Sequence, residues 1–267
     1  STACSSPDDK STKSTSSKTK TVTVDSNKVI DQEKVKEEEA KKKAEVAKKQ
    51  ASQKAAERDK VEAAKKAKSK TNAKALFASL NCKQIFYNDL IHGNKPAKYQ
   101  KYIVLHDTEG GGTPEGVISG WESAGSGVAA HFVIGRDGSI AQSVPLDKIG
   151  HHAGYGNGGF NKKYGISDDG RDDMKGSVSI GSSYPDYGMN AWSIGIELIH
   201  NGEADYPEAQ LKRLDALIKY LDAYYANTTT GNAGKIIQHK DWRTTNSDCS
   251  NEFQGYLSNY QSKRSYK

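Results

Sequence analysis

Two short apolar runs in this chain each end on a histidine, and a cysteine follows the second at loop distance. Tyr102-Ile103-Val104-Leu105 leads into His106, Ile236-Ile237-Gln238 leads into His239, and Cys249 lies ten residues beyond His239. Two imidazoles and a thiolate, carried by two strand ends and a loop, leave the fourth position of a tetrahedral zinc open. That arrangement belongs to a hydrolytic zinc and not to a structural one. Zn2+ is therefore the expected cofactor, with His106, His239 and Cys249 as its ligands. A Cys249–His239 nucleophilic dyad is a different reading, but it leaves His106 and Glu197 without a role. Glu197 falls inside Ile194-Gly195-Ile196-Glu197-Leu198, a strand pattern whose neighbours should be buried. An acid in that setting is costly unless it has a job or a partner. It is either a carboxylate that handles protons or half of an ion pair with a buried Arg or Lys.

The elements that must position these residues can be read from the same sequence. Strands are expected over 101–106, 131–135, 139–144, 192–199 and 235–239, with Asp137-Gly138 turning a hairpin between the second and third. Thr113-Pro114-Glu115 is an N-cap followed by proline at the first helical position, opening a short helix through Trp121. Pro207 opens a longer one, in which Leu211, Leu214, Leu217, Ile218, Leu221 and Tyr225 share one face. Strands alternating with helices predict a single α/β domain with a central mixed β-sheet flanked by helices. Residues 154–191 form a long polar insert of the kind that serves as a lid or mobile segment.

The domain occupies only part of the chain. Hydrophobic residues make up 34% of the sequence, low for a chain wholly committed to a core. Residues 1–80 hold 20 Lys or Arg against 12 Asp or Glu, leaving 19 against 21 for residues 81–267. The basic pI thus belongs to the N-terminal segment. That segment lacks the interleaved aromatics of a nucleic-acid-binding surface, so no nucleic-acid partner is expected. Residues 1–26 read as a disordered tether, 27–80 as a charged helical stalk without a coiled-coil seam, and 81–267 as the catalytic domain. No apolar run is long enough to span a membrane. Small residues leading into Cys4, ahead of Ser/Thr/Lys-rich sequence, resemble the trimmed site of a bacterial lipoprotein, so a lipid anchor at Cys4 is one expectation and an unmodified cysteine in a tail the other. Three scattered cysteines make no disulfide framework, and Cys82 is expected to be a small buried hydrophobe.

Four ordered strings carry a family resemblance: YIVLHDTEG at 102–110, AAHFVIGRDGSIAQSVPLDKIGHHAG at 129–154, WSIGIELIH at 192–200, and QHKDW with DCS at 238–250. They resemble the zinc-dependent N-acetylmuramoyl-L-alanine amidases related to peptidoglycan recognition proteins, over about residues 85–257. The resemblance implies hydrolysis of the amide joining N-acetylmuramic acid to L-alanine, with peptidoglycan as partner, a monomeric protein and an extracellular or wall-associated location. It implies His106, His239 and Cys249 as zinc ligands, Glu197 as the catalytic carboxylate, and His152 as a residue of the substrate cleft. Arg136, in the hairpin, could hold a stem-peptide carboxylate or be a simple turn arginine. His131 is expected to pack inside, and His92, His151 and His200 to lie on the surface or in loops. Two departures stand out. Many relatives carry a lysine two residues before the third ligand, where it can stabilise an oxyanion, and counting from Cys249 this chain has Ser247 there, with Arg243 or Lys240 as possible substitutes. Ala130 stands where some relatives have a catalytic tyrosine. A non-catalytic peptidoglycan-binding module of the same fold is the alternative function.

Overall fold

The order of side chains along the sheet strands decides where chemistry can occur, because each strand alternates between two buried layers. In the computed structural model, residues 25–166 and 188–267 are described. The chain divides into two units, one ending at Val61 and the other Glu62–Lys267. Helix α1, Ser26–Ser79, is built from strong helix formers without Gly or Pro. Ion pairs one turn apart, Lys41 with Glu37 and Lys66 with Glu62, both at 3.4 Å, add a few tenths of a kcal/mol each, roughly 0.2–0.5. In the first unit its aliphatics Val29, Ile30, Val35, Val46 and Val61 are all exposed, as expected of a helix without an apolar seam. The second unit begins at Glu62, inside the segment read as stalk, and Ala73, Leu76, Phe77 and Leu80 join its core.

The remaining elements follow in chain order: β1 Lys83–Gln84, β2 Tyr102–Asp107, α2 Pro114–Ala124, β3 Phe132–Ile134, β4 Ile140–Gln142, α3 Phe160–Lys163, α4 Met189–Trp192, β5 Ser193–Leu198, α5 Glu208–Tyr224, β6 Lys235–Gln238, α6 His239–Trp242 and α7 Gln254–Lys263. The strands form one sheet in the order β1-β4-β3-β5-β2-β6. Strands β3, β5, β2 and β6 run parallel, while β4 is antiparallel to β3 and pairs in parallel with β1. The mixed sheet flanked by helices is thus as expected. Local signals act as predicted: Thr113 Oγ1 accepts from Gly116 N at 3.1 Å to cap α2, and Gly138 takes a left-handed φ of 88° in the β3–β4 turn. Only β1 and the short helices had no clear periodicity to announce them.

On one face Ile103, Leu105, Ile194, Ile196 and Leu198 pack against Leu211, Leu214, Leu217, Ile218 and Leu221 of α5. On the other, Tyr102, Val104 and Ile237 pack with Ala153, Met189 and Trp242. His106 and Glu197 continue the second face beyond its apolar portion, at the C-terminal ends of parallel strands, where open α/β sheets place their ligand sites. Of the polar insert, residues 167–187 lie outside the described residues, and so does Cys4. The described ends of the insert contain α3 and α4.

Candidate active site

Register brings the site together. In β2 and β5 His106 lies directly opposite Glu197, and in β2 and β6 Leu105 lies opposite Gln238. His239 is therefore the next residue beside His106. It is also the first residue of α6, because Asp241 Oδ2 accepts from Gln238 N at 2.8 Å and closes a capping box that ends the strand. The loop after α6 returns Asp248 to the same point, anchored by Lys240 N donating to Asp248 O at 2.8 Å and by Ser250 N donating to Asp107 Oδ2 at 2.7 Å. His106, Trp121, Glu197, His239, Asn246 and Asp248 line a cavity of about 380 Å³.

At its floor three donor atoms form a small triangle. His106 Nδ1 is 3.1 Å from His239 Nδ1 and 3.0 Å from Asp248 Oδ2, and His239 Nδ1 is 3.2 Å from the same oxygen. Metal bonds of about 2.0–2.1 Å in a tetrahedron set ligand atoms about 3.3–3.4 Å apart, close to this spacing. His239 Nε2 lies 2.9 Å from the carbonyl of Ala153, which can only accept, so that nitrogen carries the proton and Nδ1 faces the triangle with its lone pair. Burial, with His239 adjacent, holds the His106 pKa down to about 4. Burial alone would raise the Asp248 carboxyl, but the two histidines beside it outweigh that and hold it below the usual carboxylate range. Two imidazoles and a carboxylate are a donor set that fits zinc, and His106, His239 and Asp248 are the one such group among the described residues.

Cys249 is not in that group. Its side chain is fully buried in the apolar layer with Phe253 and Tyr260, and burial pushes its thiol well above the ordinary range. The structure brings Asp248, and not the expected Cys249, to the two histidines. At this step of the loop the cavity receives the carboxylate and the core receives the sulfur. The sequence did not separate the two, since both residues are chemically competent and adjacent. Neither Cys249 nor Cys82 is in a disulfide, and Cys82 packs at the core edge with its pKa raised to about 12 by burial, against a lowering effect of Arg213.

Glu197 has no basic partner among the described residues. Its Oε2 lies 4.0 Å from His106 Nδ1. Burial first, then the negative charges of Asp248, Asp107 and Glu109, raise its pKa well above the carboxylate range. The ion-pair reading of Glu197 thus finds no partner, and the carboxylate stands free beside the donor triangle. His152 also borders the cavity, but it is only 8% exposed and lies behind His106, with Nδ1 2.9 Å from His106 Nε2. Arg136 is not brought to the cavity; its Nη2 donates to the carbonyl of Asp205 at 2.9 Å and braces that loop, as a turn arginine does. His131 packs inside as expected, between the Gly195 N–H and the Lys148 carbonyl. His151 and His200 are buried, contrary to expectation, each stacked on a ring, His92 and Tyr206 respectively.

Moving the third donor to Asp248 also moves the position two residues before it. That position is Asn246, not Ser247. The Asn246 Nδ2 lies 2.9 and 3.0 Å from the two ring nitrogens of His239, on the cavity wall. Ser247 instead bonds Glu109 at the rim, and neither Arg243 nor Lys240 lines the cavity.

The profile of the N-acetylmuramoyl-L-alanine amidase family matches residues 95–252, which contain every residue of the donor triangle and Glu197. Similar solved structures include the N-acetylmuramoyl-L-alanine amidase LysC from Clostridium intestinale URNW, 24% identical with a TM-score of 0.42 over 64% of this chain and 91% of that one. The catalytic domain of XlyA is 22% identical with a TM-score of 0.45, over 68% and 97% of the two chains. A selenomethionine derivative of AmpD is 23% identical with a TM-score of 0.44, over 65% and 89%. No curated protein sequence matches the chain. On the family match, which spans more than half of its length, this chain belongs to the N-acetylmuramoyl-L-alanine amidase family.

Proposed function

We propose that the protein hydrolyses the amide between the lactyl group of N-acetylmuramic acid and L-alanine in peptidoglycan, with zinc held by His106, His239 and Asp248. The observation that carries this reading is the triangle of donors at 3.0–3.2 Å with a half-buried Glu197 beside it that has no Lys or Arg partner among the described residues. Bound there, zinc would supply Lewis-acid polarisation of a carbonyl and an acidified water at neutral pH.

The protein's own groups do the rest. Glu197 is placed to take a proton from the attacking water at Oε2 and to deliver it to the leaving amine of L-alanine. With no Lys or Arg beside it among the described residues, burial keeps its proton affinity high enough for that exchange. Asn246 offers a neutral N–H donor from the wall for the developing oxyanion, where many relatives have lysine. Trp121 and Val128 add apolar surface to the lining of the cavity.

A binding module without catalysis is the second reading, and the neutral Asn246 favours it; the complete donor set and Glu197 favour the enzyme. The basic N-terminal segment suits weak, salt-dependent retention in an anionic wall, and we place the protein at the cell surface or in the wall on that ground. The test is mass spectrometry of products from purified peptidoglycan with zinc-loaded protein and a chelated control. Free stem peptides beginning at L-alanine, absent with chelator, are expected. Stems that stay attached to glycan while the protein sediments with the wall would replace the enzyme by the binding module.

A further inference from the structure

A buried chain of hydrogen bonds runs from the donor triangle to the start of β5, and its directions follow from the serine end. The Ser193 hydroxyl donates to the Met189 carbonyl at 2.5 Å, which commits its single proton. Ser193 Oγ also lies 3.1 Å from His152 Nε2, so at that contact the serine accepts and His152 carries its proton on Nε2. His152 Nδ1 is then a lone pair, and His106 Nε2, 2.9 Å away, must be the donor. That leaves His106 Nδ1 without a proton, facing His239 and Asp248.

We propose that Ser193 is a positioning residue for the metal centre: through His152 it holds the proton of His106 on Nε2 and leaves Nδ1 free to bind zinc. The proposal rests on the metal reading above. It assigns His152 to orienting a ligand, in place of contacting substrate.

The surroundings of the relay are built around it. Along β5, Ser193, Gly195 and Glu197 alternate onto the site face: the first accepts from His152, the second makes room for it, and the third enters the cavity. A Cβ on Gly195 would lie 2.6 Å from both Cγ and Nδ1 of His152, so only glycine lets the ring lie against the strand. The buried Asn190 Oδ1 accepts from both His152 N at 3.1 Å and Ala153 N at 2.9 Å. Ala153 O is in turn the acceptor for His239 Nε2. One two-residue segment thus sets the tautomer of both imidazoles, and α4 with the start of β5 holds that segment. The Ser193 backbone is fixed as well, its carbonyl accepting from the buried Lys95 Nζ at 3.1 Å. Outer partners that orient metal-binding histidines generally change metal affinity when removed.

The test uses the full chain, with zinc affinity measured by competition against a chelator. Ser193→Ala is expected to weaken zinc binding about 10–100-fold, and Ser193→Thr, which keeps the hydroxyl, to restore it. Imidazole 15N spectra of the zinc-loaded wild-type protein are expected to show His152 protonated on Nε2; a proton on Nδ1 overturns the relay whatever the variants do. Unchanged affinity in Ser193→Ala overturns it too. So does equal weakening in both variants with the His152 proton unmoved, which would mark Ser193 as packing alone. A wild-type protein that binds no zinc refutes the metal reading itself, and is distinct from these outcomes.

Discussion

Replacing Cys249 and Asp248 one at a time separates the two adjacent residues that could complete the donor set. Cys249→Ala removes one fully buried sulfur from the layer that holds Phe253 and Tyr260. A single heavy atom lost from such a site costs about 1 kcal/mol. In a unit the size of Glu62–Lys267, that lowers the melting temperature by about 2–4 °C. The donor triangle is untouched, so the stabilisation conferred by zinc should persist. At a free zinc concentration 1,000-fold above Kd, that stabilisation is about 4 kcal/mol, or a rise of roughly 8–16 °C. Asp248→Ala removes the only negative charge in the triangle, whose oxygen stands 3.0 and 3.2 Å from the two histidine nitrogens. Removing an outer partner of a metal ligand already costs about 10–100-fold in affinity; for a ligand itself we expect at least about a thousandfold, which reduces the zinc-linked rise to about 0.4 kcal/mol at the same zinc concentration. Thermal melts with zinc and with chelator, together with metal stoichiometry, read both effects. A Cys249→Ala protein that loses its zinc response, beside an Asp248→Ala protein that keeps it, would refute the assignment and reinstate the thiolate.

Three further outcomes follow from single contacts. Glu197→Gln keeps the shape of the side chain but cannot take a proton; it should retain zinc and lose about 10²–10⁴ in turnover, and retained turnover on peptidoglycan removes Glu197 from the mechanism. Gly195→Ala places a Cβ 2.6 Å from the His152 ring and should cost about 1–3 kcal/mol in melts while weakening zinc binding; a melt and an affinity like wild type would show that the ring has room. His131 supplies a pH dependence, since burial first and the nearby Lys95 second hold its pKa down to about 3. The unfolded chain takes up this proton below about pH 6.5 and the folded chain does not until about pH 3, so the stability it contributes is lost as pH falls between those values. From pH 7.5 to 5 the loss is about 2 kcal/mol, absent in His131→Gln; denaturant melts with chelator present throughout check the difference, and equal slopes for the two proteins count against it.

The sheet was legible because its strands carry two different periodicities of burial. Apolar runs such as Tyr102–Leu105 and Ser193–Leu198 are buried on both faces, and their lengths and apolar content gave their positions to within a residue or two. The Leu and Ile spacing of α5 and the Thr113-Pro114 start of α2 are equally local. β1, two residues long, depends on pairing with β4 and has no pattern of its own. The boundary at Glu62 was hidden for a related reason. Ala73, Leu76 and Phe77 look like part of a uniform Lys/Ala helix until the core they cover is known.

At the site, residue types were legible and directions were not. His106, Glu197 and His239 could be found because each ends or interrupts an apolar run, and strand alternation fixes which way such residues face. Asp248 and Cys249 sit in a loop, where no period tells one side from the other, and the choice between them is made by the core that accepts the sulfur. The polar residues behind the ligands escaped for a different reason. Ser193 and Asn190 are ordinary in composition, and their role exists only as a sequence of donors and acceptors crossing from β5 through His152 to His106. Yet β5 does hold a trace of it. Ser193, Gly195 and Glu197 occupy alternate positions in a strand otherwise filled by Ile and Leu, and each departs from an apolar side chain on the same face. A small hydroxyl, a missing side chain and an unpaired acid in strict alternation cost stability unless something large and polar lies against them. His152 fills that place for the first two, and the substrate cavity for the third.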